Sequence, residues 1–398
     1  MAYDFGAPQP ATWRRRWHGR WAAPGEADRS GVWRYRELLP FLPTSVAPVT
    51  LGEGGTPLIR LERAAQFAGA ERVWAKHLGG NPTGSFKDLG MTSCISQAVQ
   101  EGARVVACAS TGNTSASMAA YAARAGLQAV LFIPRGAVAA AKLAQALDFG
   151  ARPVEVEGNF DRALELARHA ALELGWYLVN SVNPYRLEGQ KTAVVELLDQ
   201  RRWRPPAVLV VPGGNLGNAS ALAKGLKDLQ ATGLLARLPR LVVVQAQGAN
   251  PFFRLWSEGG GRLRPLAEPR TRASAIRIGN PASWERALRA LGWTKGTCVA
   301  VSDSQIAEAK GALATDGVGC EPASATTLAG LRRLRQEGWI GEGEEVVLVL
   351  TGHQLKDVDY VLEQRRPLGP PAPALPAAAS AATVTRQLRR WQEGWLPG

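Results

Sequence analysis

Val208-Leu209-Val210-Val211-Pro212-Gly213-Gly214-Asn215-Leu216-Gly217-Asn218 joins an apolar, valine-rich run to a turn carrying three glycines. A helical stretch, Asn215–Ala231, overlaps the end of that turn and continues from it. Four apolar residues in a row, closed by turn residues, predict a strand buried on both faces. The same order recurs on either side. Val105–Cys108 precedes a helix-like segment from Thr114 to Arg124, and Ala129–Ile133 precedes one from Ala137 to Phe149. Val154–Val156 leads into Asp161–Leu174, and Trp176–Val179 into a segment near Leu187–Leu198. Leu241–Val244 and Glu345–Leu350 are further strand candidates. Strand–helix alternation of this kind predicts an α/β fold, with parallel sheets covered by helices on both faces. There is enough of it for two sheets.

The 398 residues exceed what one minimal core needs, so two domains or one large domain are expected. Four cysteines without a CxxC pair exclude a disulfide scaffold and argue against structural zinc, so no metal site is expected. The net charge is +13, but nine of the 47 basic residues are lysines and the arginines are spread along the chain. That spread does not make a nucleic-acid footprint, and anionic small molecules are the better use for the excess. Val105–Ala123 is uncharged but carries Ser, Thr, Gly and Asn throughout, so no membrane span is expected. Met1–Pro10 carries Asp4 and no apolar run, so no signal peptide is expected and the cytoplasm is the expected compartment.

Three polar loops carry the chemistry. HExxH, GxSxG, GxxxxGK[ST], SxxK and GxGxxG are all missing from the sequence. The first loop is Asn81-Pro82-Thr83-Gly84-Ser85-Phe86-Lys87-Asp88. A cation near a helix N-terminus is repelled by the macrodipole, which favours the neutral amine that attacks a carbonyl. The alternative is an ordinary surface lysine. The second is Ala109-Ser110-Thr111-Gly112-Asn113-Thr114-Ser115, with more small polar residues than a helix cap uses. The third is the glycine turn at 212–218, whose backbone N–H groups and helix N-terminus suit a phosphate. A lysine amine, a polar clamp and a phosphate cradle on an α/β scaffold together point to pyridoxal phosphate.

With these loops in place the chain resembles the threonine synthase family. The resemblance runs from Leu51-Gly52-Glu53-Gly54-Gly55-Thr56-Pro57-Leu58 to Leu350-Thr351-Gly352-His353-Gln354-Leu355-Lys356-Asp357. Between them lie Asn180–Thr192, Ile278–Trp284 and Glu321-Pro322-Ala323-Ser324-Ala325. The family implies a two-domain pyridoxal-phosphate fold of type II, each domain an open, mostly parallel sheet flanked by helices. With the arm read over 1–50 and the Pro/Ala-rich tail over 363–398, the body divides into a large domain over 51–103 and 182–362 and a small domain over 104–181. Lys87 would then be the lysine that binds the cofactor covalently, and Asn113 would hydrogen-bond the ring hydroxyl oxygen. Gly214, Asn215, Leu216, Gly217 and Asn218 would hold the cofactor phosphate. Thr351 would face the ring nitrogen and, as a neutral hydroxyl, leave it largely unprotonated. Thr114, Asn180, Ser181 and Arg186, with Lys87, would hold a substrate phosphate. The implied substrate is O-phospho-L-homoserine. O-phosphoserine, as in cysteate synthase, and a threonine dehydratase activity are the competing readings. Leu89 stands where many bacterial members have Arg, and the runs 85–92 and 211–218 look more like the plant-type branch. A homodimer is expected.

The arm adds Trp13, Trp17 and Trp21 at helical spacing, interleaved with Arg14, Arg15, Arg16 and Arg20. Its tryptophan face is expected to pack on the body or on a partner subunit rather than to bind nucleic acid or a membrane.

Overall fold

The computed structural model describes residues 1, 3–6, 8–136, 140–363 and 380–393. Two units divide at residue 357, Met1–Asp357 and Val358–Gly398. Among its described residues the second contributes helices, given at the end of this section.

The strands of the first unit are β1 (Leu58–Leu61), β2 (Arg72–His77), β3 (Val105–Ala109), β4 (Gln128–Pro134), β5 (Arg152–Val156), β6 (Tyr177–Leu178), β7 (Val208–Pro212), β8 (Arg240–Ala246), β9 (Thr297–Val301) and β10 (Glu345–Leu350). They form two sheets, of order β1-β2-β10-β7-β8-β9 and β5-β4-β3-β6. Among the strands of the described residues only β1, against β2, is antiparallel. The helices are α1 (Pro10–Arg20), α2 (Glu26–Arg29), α3 (Arg63–Ala68), α4 (Lys87–Gln100), α5 (Asn113–Arg124), α6 (Ala140–Asp148), α7 (Phe160–Leu174), α8 (Pro184–Gln200), α9 (Gly217–Ala231), α10 (Pro251–Ser257), α11 (Trp284–Thr294), α12 (Asp303–Thr315) and α13 (Pro322–Gln336).

The strand at 208–212 shows why the sheets are layered. Its side chains alternate. Leu209 and Val211 join a core built with α8, α9 and α11, while Val208 and Val210 join one built with α3, α12 and α13. Successive residues of a strand point to opposite faces, so an unbroken apolar run needs cover on both sides. The smaller sheet does the same. Val106, Cys108, Leu131 and Ile133 pack on α4, α5 and α6, and Ala107, Ala109, Val130 and Phe132 pack on α7. Each strand–helix pair expected from the sequence is present. The expected helix start at Ala137 lies outside the described residues, and α6 is described from Ala140.

Trp17 of the arm is fully buried, edge-on to Tyr35 at 5.2 Å and beside Trp203 at 5.6 Å. Its indole N–H donates to Glu37 at 2.8 Å. Trp13 is partly buried against the same core. Trp21, the residue after α1, is 39% exposed and lies over the Arg34 guanidinium at 3.5 Å. The face therefore packs on the chain's own body, where burying one such ring is worth up to about 3 kcal/mol.

The second unit contains α14 (Val358–Glu363) and α15 (Ala381–Glu393). Most of the Pro/Ala-rich stretch 367–382, and Trp395, lie outside the described residues. Among the described residues no helix is long and apolar enough to cross a membrane.

Candidate active site

The loops that follow β2, β3, β6, β7 and β10 open at the carboxyl ends of their strands, where open parallel sheets place their ligands. They line one cavity of about 1520 Å³. Lys87, Asn113, Thr114, Asn180, Ser181, Arg186, Gly214, Asn215, Leu216, Gly217, Asn218 and Thr351 all border it.

Lys87 is the first residue of α4. The turn before it hangs on the end of β10. Phe86 N–H donates to Thr351 O at 2.9 Å, His353 N–H donates to Gly84 O at 2.9 Å, and Ser85 bridges Gly352. Gly84 has φ +83°, a conformation that favours glycine. Asp88, fully buried, draws the turn tight. It accepts from Thr83 N–H at 2.7 Å, from the Thr83 hydroxyl at 2.6 Å and from the Ser117 hydroxyl of α5 at 2.6 Å. Lys87 keeps part of its surface open to the cleft and sits 4.2 Å from the Phe86 ring centre. Burial, then the nearby charge of Arg186, pulls its amine down to about 7, with Glu321 opposing. An amine of that kind is substantially neutral at physiological pH.

The 212–218 turn is a cradle. A Cβ at Gly213 would come 2.7 Å from Val243, and one at Gly214 would come 3.2 Å from Ala275 O and Ile276 Cα. Leu216 is left-handed at φ +63°, which costs a non-glycine residue roughly 1–2 kcal/mol and aims the chain into α9. Among the described residues no protein acceptor meets the N–H of Gly214, Asn215 or Leu216. The side-chain oxygen and nitrogen of Asn218 are both buried without a partner. Buried polar groups are seldom left this way, and a bound phosphate at the N-terminus of α9 would satisfy them.

Arg186 is a second orphan. It is 2% exposed, donates from one terminal nitrogen to Val179 O at 3.1 Å, and has its Nε buried and unpartnered. No carboxylate pairs with it among the described residues. Burial lowers its pKa from the ordinary value, and an anion in the cleft would offset that penalty. Thr114 and Ser181 line the same cavity. Asn180 is more engaged: its amide pairs with both backbone groups of Ala109, at 3.1 and 2.9 Å, locking the ends of β3 and β6.

Thr351 follows the last residue of β10 and donates to Glu321 Oε1 at 3.0 Å. Asn113 opens α5 and donates to Glu321 Oε2 at 2.9 Å. The sequence suggests no role for Glu321. Burial raises its pKa, opposed by the hydrogen bonds from Asn113 and Thr351 and by the charges of Lys87 and Lys356. Lys356, equally without an expected role, reaches from the β10 side to Thr83 O at 2.9 Å and to Gln145 of α6 at 2.6 Å. Both tie the two sheet layers together across the cleft.

The residues present thus fit a phosphorylated pyridine aldehyde: a neutral-leaning amine, a glycine cradle with unpartnered donors and two polar side chains lining the same cavity. The pattern of the family described as pyridoxal-phosphate dependent enzyme matches residues 49–352. A threonine synthase of Methanocaldococcus jannaschii is 47% identical over 83% of this chain and 82% of its own length. One of Mycobacterium leprae is 46% identical over 84% of this chain and 91% of its own. Among solved structures, a threonine deaminase of T.th. superposes with TM-score 0.64 at 28% identity, over 75% of this chain and 92% of that one.

Proposed function

The chain belongs to the threonine synthase family of pyridoxal-phosphate dependent enzymes, and on that premise we propose that it converts O-phospho-L-homoserine and water to L-threonine and phosphate. Pyridoxal phosphate, when bound, supplies a carbonyl for amines to attack and a ring that draws electrons from the adjoining carbon. Gly214, Asn215, Leu216, Gly217 and Asn218 hold the cofactor phosphate. Asn113 would meet the ring hydroxyl oxygen and Thr351 the ring nitrogen. Lys87 Nζ, as a neutral amine, would hold the cofactor covalently at its carbonyl carbon. As a free amine it would take the proton from substrate Cα and carry protons at Cβ and Cγ. Arg186, with Thr114, Ser181 and the remaining N–H of Asn180, holds the substrate phosphate as it leaves Cγ and water adds at Cβ.

One observation carries this reading. The buried Arg186 guanidinium, which meets no carboxylate among the described residues, lies in the same cleft as the glycine cradle, so there are two places for a phosphate and one amine. A dehydratase of unphosphorylated amino acids has no use for the second. Steady-state assays with O-phosphohomoserine, O-phosphoserine, threonine and serine test it. O-phosphohomoserine is expected to give the highest kcat/KM. A higher value for O-phosphoserine would move the chain to a cysteate-forming reading, and equal turnover of threonine would remove the role given to Arg186.

The residue ranges support a division into an arm (1–50), a large domain (51–103 and 182–362), a small domain (104–181) and a tail (363–398). All strands of the smaller sheet fall within 105–178. We propose further a cytoplasmic homodimer with no nucleic-acid or membrane partner. Sedimentation and a salt-dependent mobility shift check the assembly and the nucleic-acid statement.

A further inference from the structure

The helix that carries the polar clamp at its start, α5, is pinned along one face. Residues 113, 117 and 121 are four apart and share a stripe. Each meets a buried carboxyl from a different part of the chain. Asn113 donates to Glu321, at the start of α13, at 2.9 Å. The Ser117 hydroxyl meets Asp88 of α4 at 2.6 Å. The Tyr121 hydroxyl meets Glu53, in the turn before β1, at 2.7 Å. Arg124 ends the stripe, donating from Nε to Thr50 O at 3.2 Å. Ser117, Tyr121, Glu53 and Asp88 are fully buried. Glu53 is itself fixed from three further sides, by the Ser30 hydroxyl of the arm, the Thr50 hydroxyl at 3.0 Å and the Leu51 N–H at 3.2 Å. The far face of α5 is apolar: Met118, Ala119 and Ala122 join the core of Val106, Cys108 and Leu131. Burial pushes the Asp88 carboxyl up to about 6 and raises that of Glu321. The seam does not depend on their charge. A hydroxyl donates to a carboxylate or accepts from a protonated carboxyl, and the Asn113 N–H finds an acceptor oxygen in either form.

Apolar helix faces re-register at small cost, whereas a buried hydrogen-bonded pair pulled apart leaves polar groups unsatisfied. Three such pairs in line hold α5 to one rotation. We propose that Tyr121 and Glu53, which lie outside the cleft, are positioning residues: with Ser117 and Asp88 they fix the rotation of α5, and so the direction in which Thr114 meets the substrate phosphate. The inference rests on the reading above, in which Thr114 binds that phosphate. A slip of one residue turns a helix by roughly 100°, enough to carry Thr114 off the cleft. Tyr121 stands two turns further along, about 10 Å from Thr114 on the axis, so it acts through the helix and not by contact. Asp88 follows Lys87 at the start of α4, so the same seam ties Thr114 to the lysine turn.

Tyr121→Phe keeps the ring in the core and removes one bond of the seam. Its kcat/KM for O-phosphohomoserine should fall about three- to tenfold, with the cofactor retained. Calorimetric titration of inorganic phosphate into the holoenzyme should show a similar loss of affinity. Ser117→Ala, which removes the middle bond, should follow the same pattern. Thr114→Ala decides the route. With the Thr114 hydroxyl already absent, adding Tyr121→Phe should change kcat/KM by less than about twofold. An equal loss in both backgrounds would make Tyr121 a packing residue and overturn the proposal. So would an unchanged kcat/KM and phosphate affinity in Tyr121→Phe. Should Thr114→Ala alone leave kcat/KM unchanged, the phosphate role given to Thr114 falls, and the proposal with it.

Discussion

Lys87 is where residue chemistry decides most. Its amine, at about 7 against an ordinary 10.5, makes the rate of cofactor capture depend on pH in a specific way. In the apoprotein the neutral fraction rises about tenfold per pH unit below that value and levels off above it. Stopped-flow reconstitution should therefore plateau by about pH 8. A rate that keeps climbing to about pH 10 would show an unperturbed lysine. Replacing Arg186 tests the second phosphate. Arg186→Ala should retain the cofactor and lose roughly 30- to 1000-fold in kcat/KM for the phosphorylated substrate, the kinetic equivalent of about 2–4 kcal/mol. An unchanged kcat/KM would make Arg186 a packing residue. Lys87 and the 212–218 turn are legible in the sequence because their signals are local: a lysine at a helix start, and more glycines than a turn uses. Glu321 is not. Its partners Asn113 and Thr351 lie 208 and 30 residues away, and a glutamate before a proline reads as an ordinary helix start.

Among the elements, the arm makes the clearest wager. Burial alone would raise the Glu37 carboxyl, but hydrogen bonds from Arg20 and Trp17 outweigh it and hold it at about 2. Because the folded value lies below the ordinary 4.5, Glu37 contributes stability above that pH and loses it as the pH falls from there toward 2. Tryptophan emission should shift as Trp17 loosens in that window, and Glu37→Gln should flatten the change. Deleting residues 1–30 should lower the melting temperature, since it exposes the pocket of Trp17 between Tyr35 and Trp203. An unchanged melt would show that the arm is not structural. The tryptophan face can be read from its spacing, and so can the strands from Val105 to Val211 and at 345–350. The strands at 58–61, 72–77 and 297–301 cannot. The first two carry charged side chains within the run, and Thr297–Val301, although bounded by Gly296 and Ser302, is a short run in which Thr, Cys and Ala are three of the five residues.

For the molecule as a whole, a buried ion pair ties β2 of the larger sheet to α8. Lys76 of β2 meets Glu196 of α8 at 2.5 Å, both almost fully buried, and Glu196 also accepts the N–H groups of Gly55 and Thr56 at 2.6 and 3.1 Å. Lys76→Met would leave that carboxylate buried without its cation, so unfolding should become easier by roughly 3–5 kcal/mol in a denaturant titration. The cleft itself joins five loops from two sheets, and the reaction assigned to it has a phosphate leaving one carbon while water adds to its neighbour. Turnover of O-phosphohomoserine in H₂¹⁸O follows both events at once. Threonine should carry ¹⁸O in its hydroxyl group, and an equal amount of phosphate should carry none. Labelled phosphate with homoserine, or ammonia released without phosphate, would contradict that chemistry.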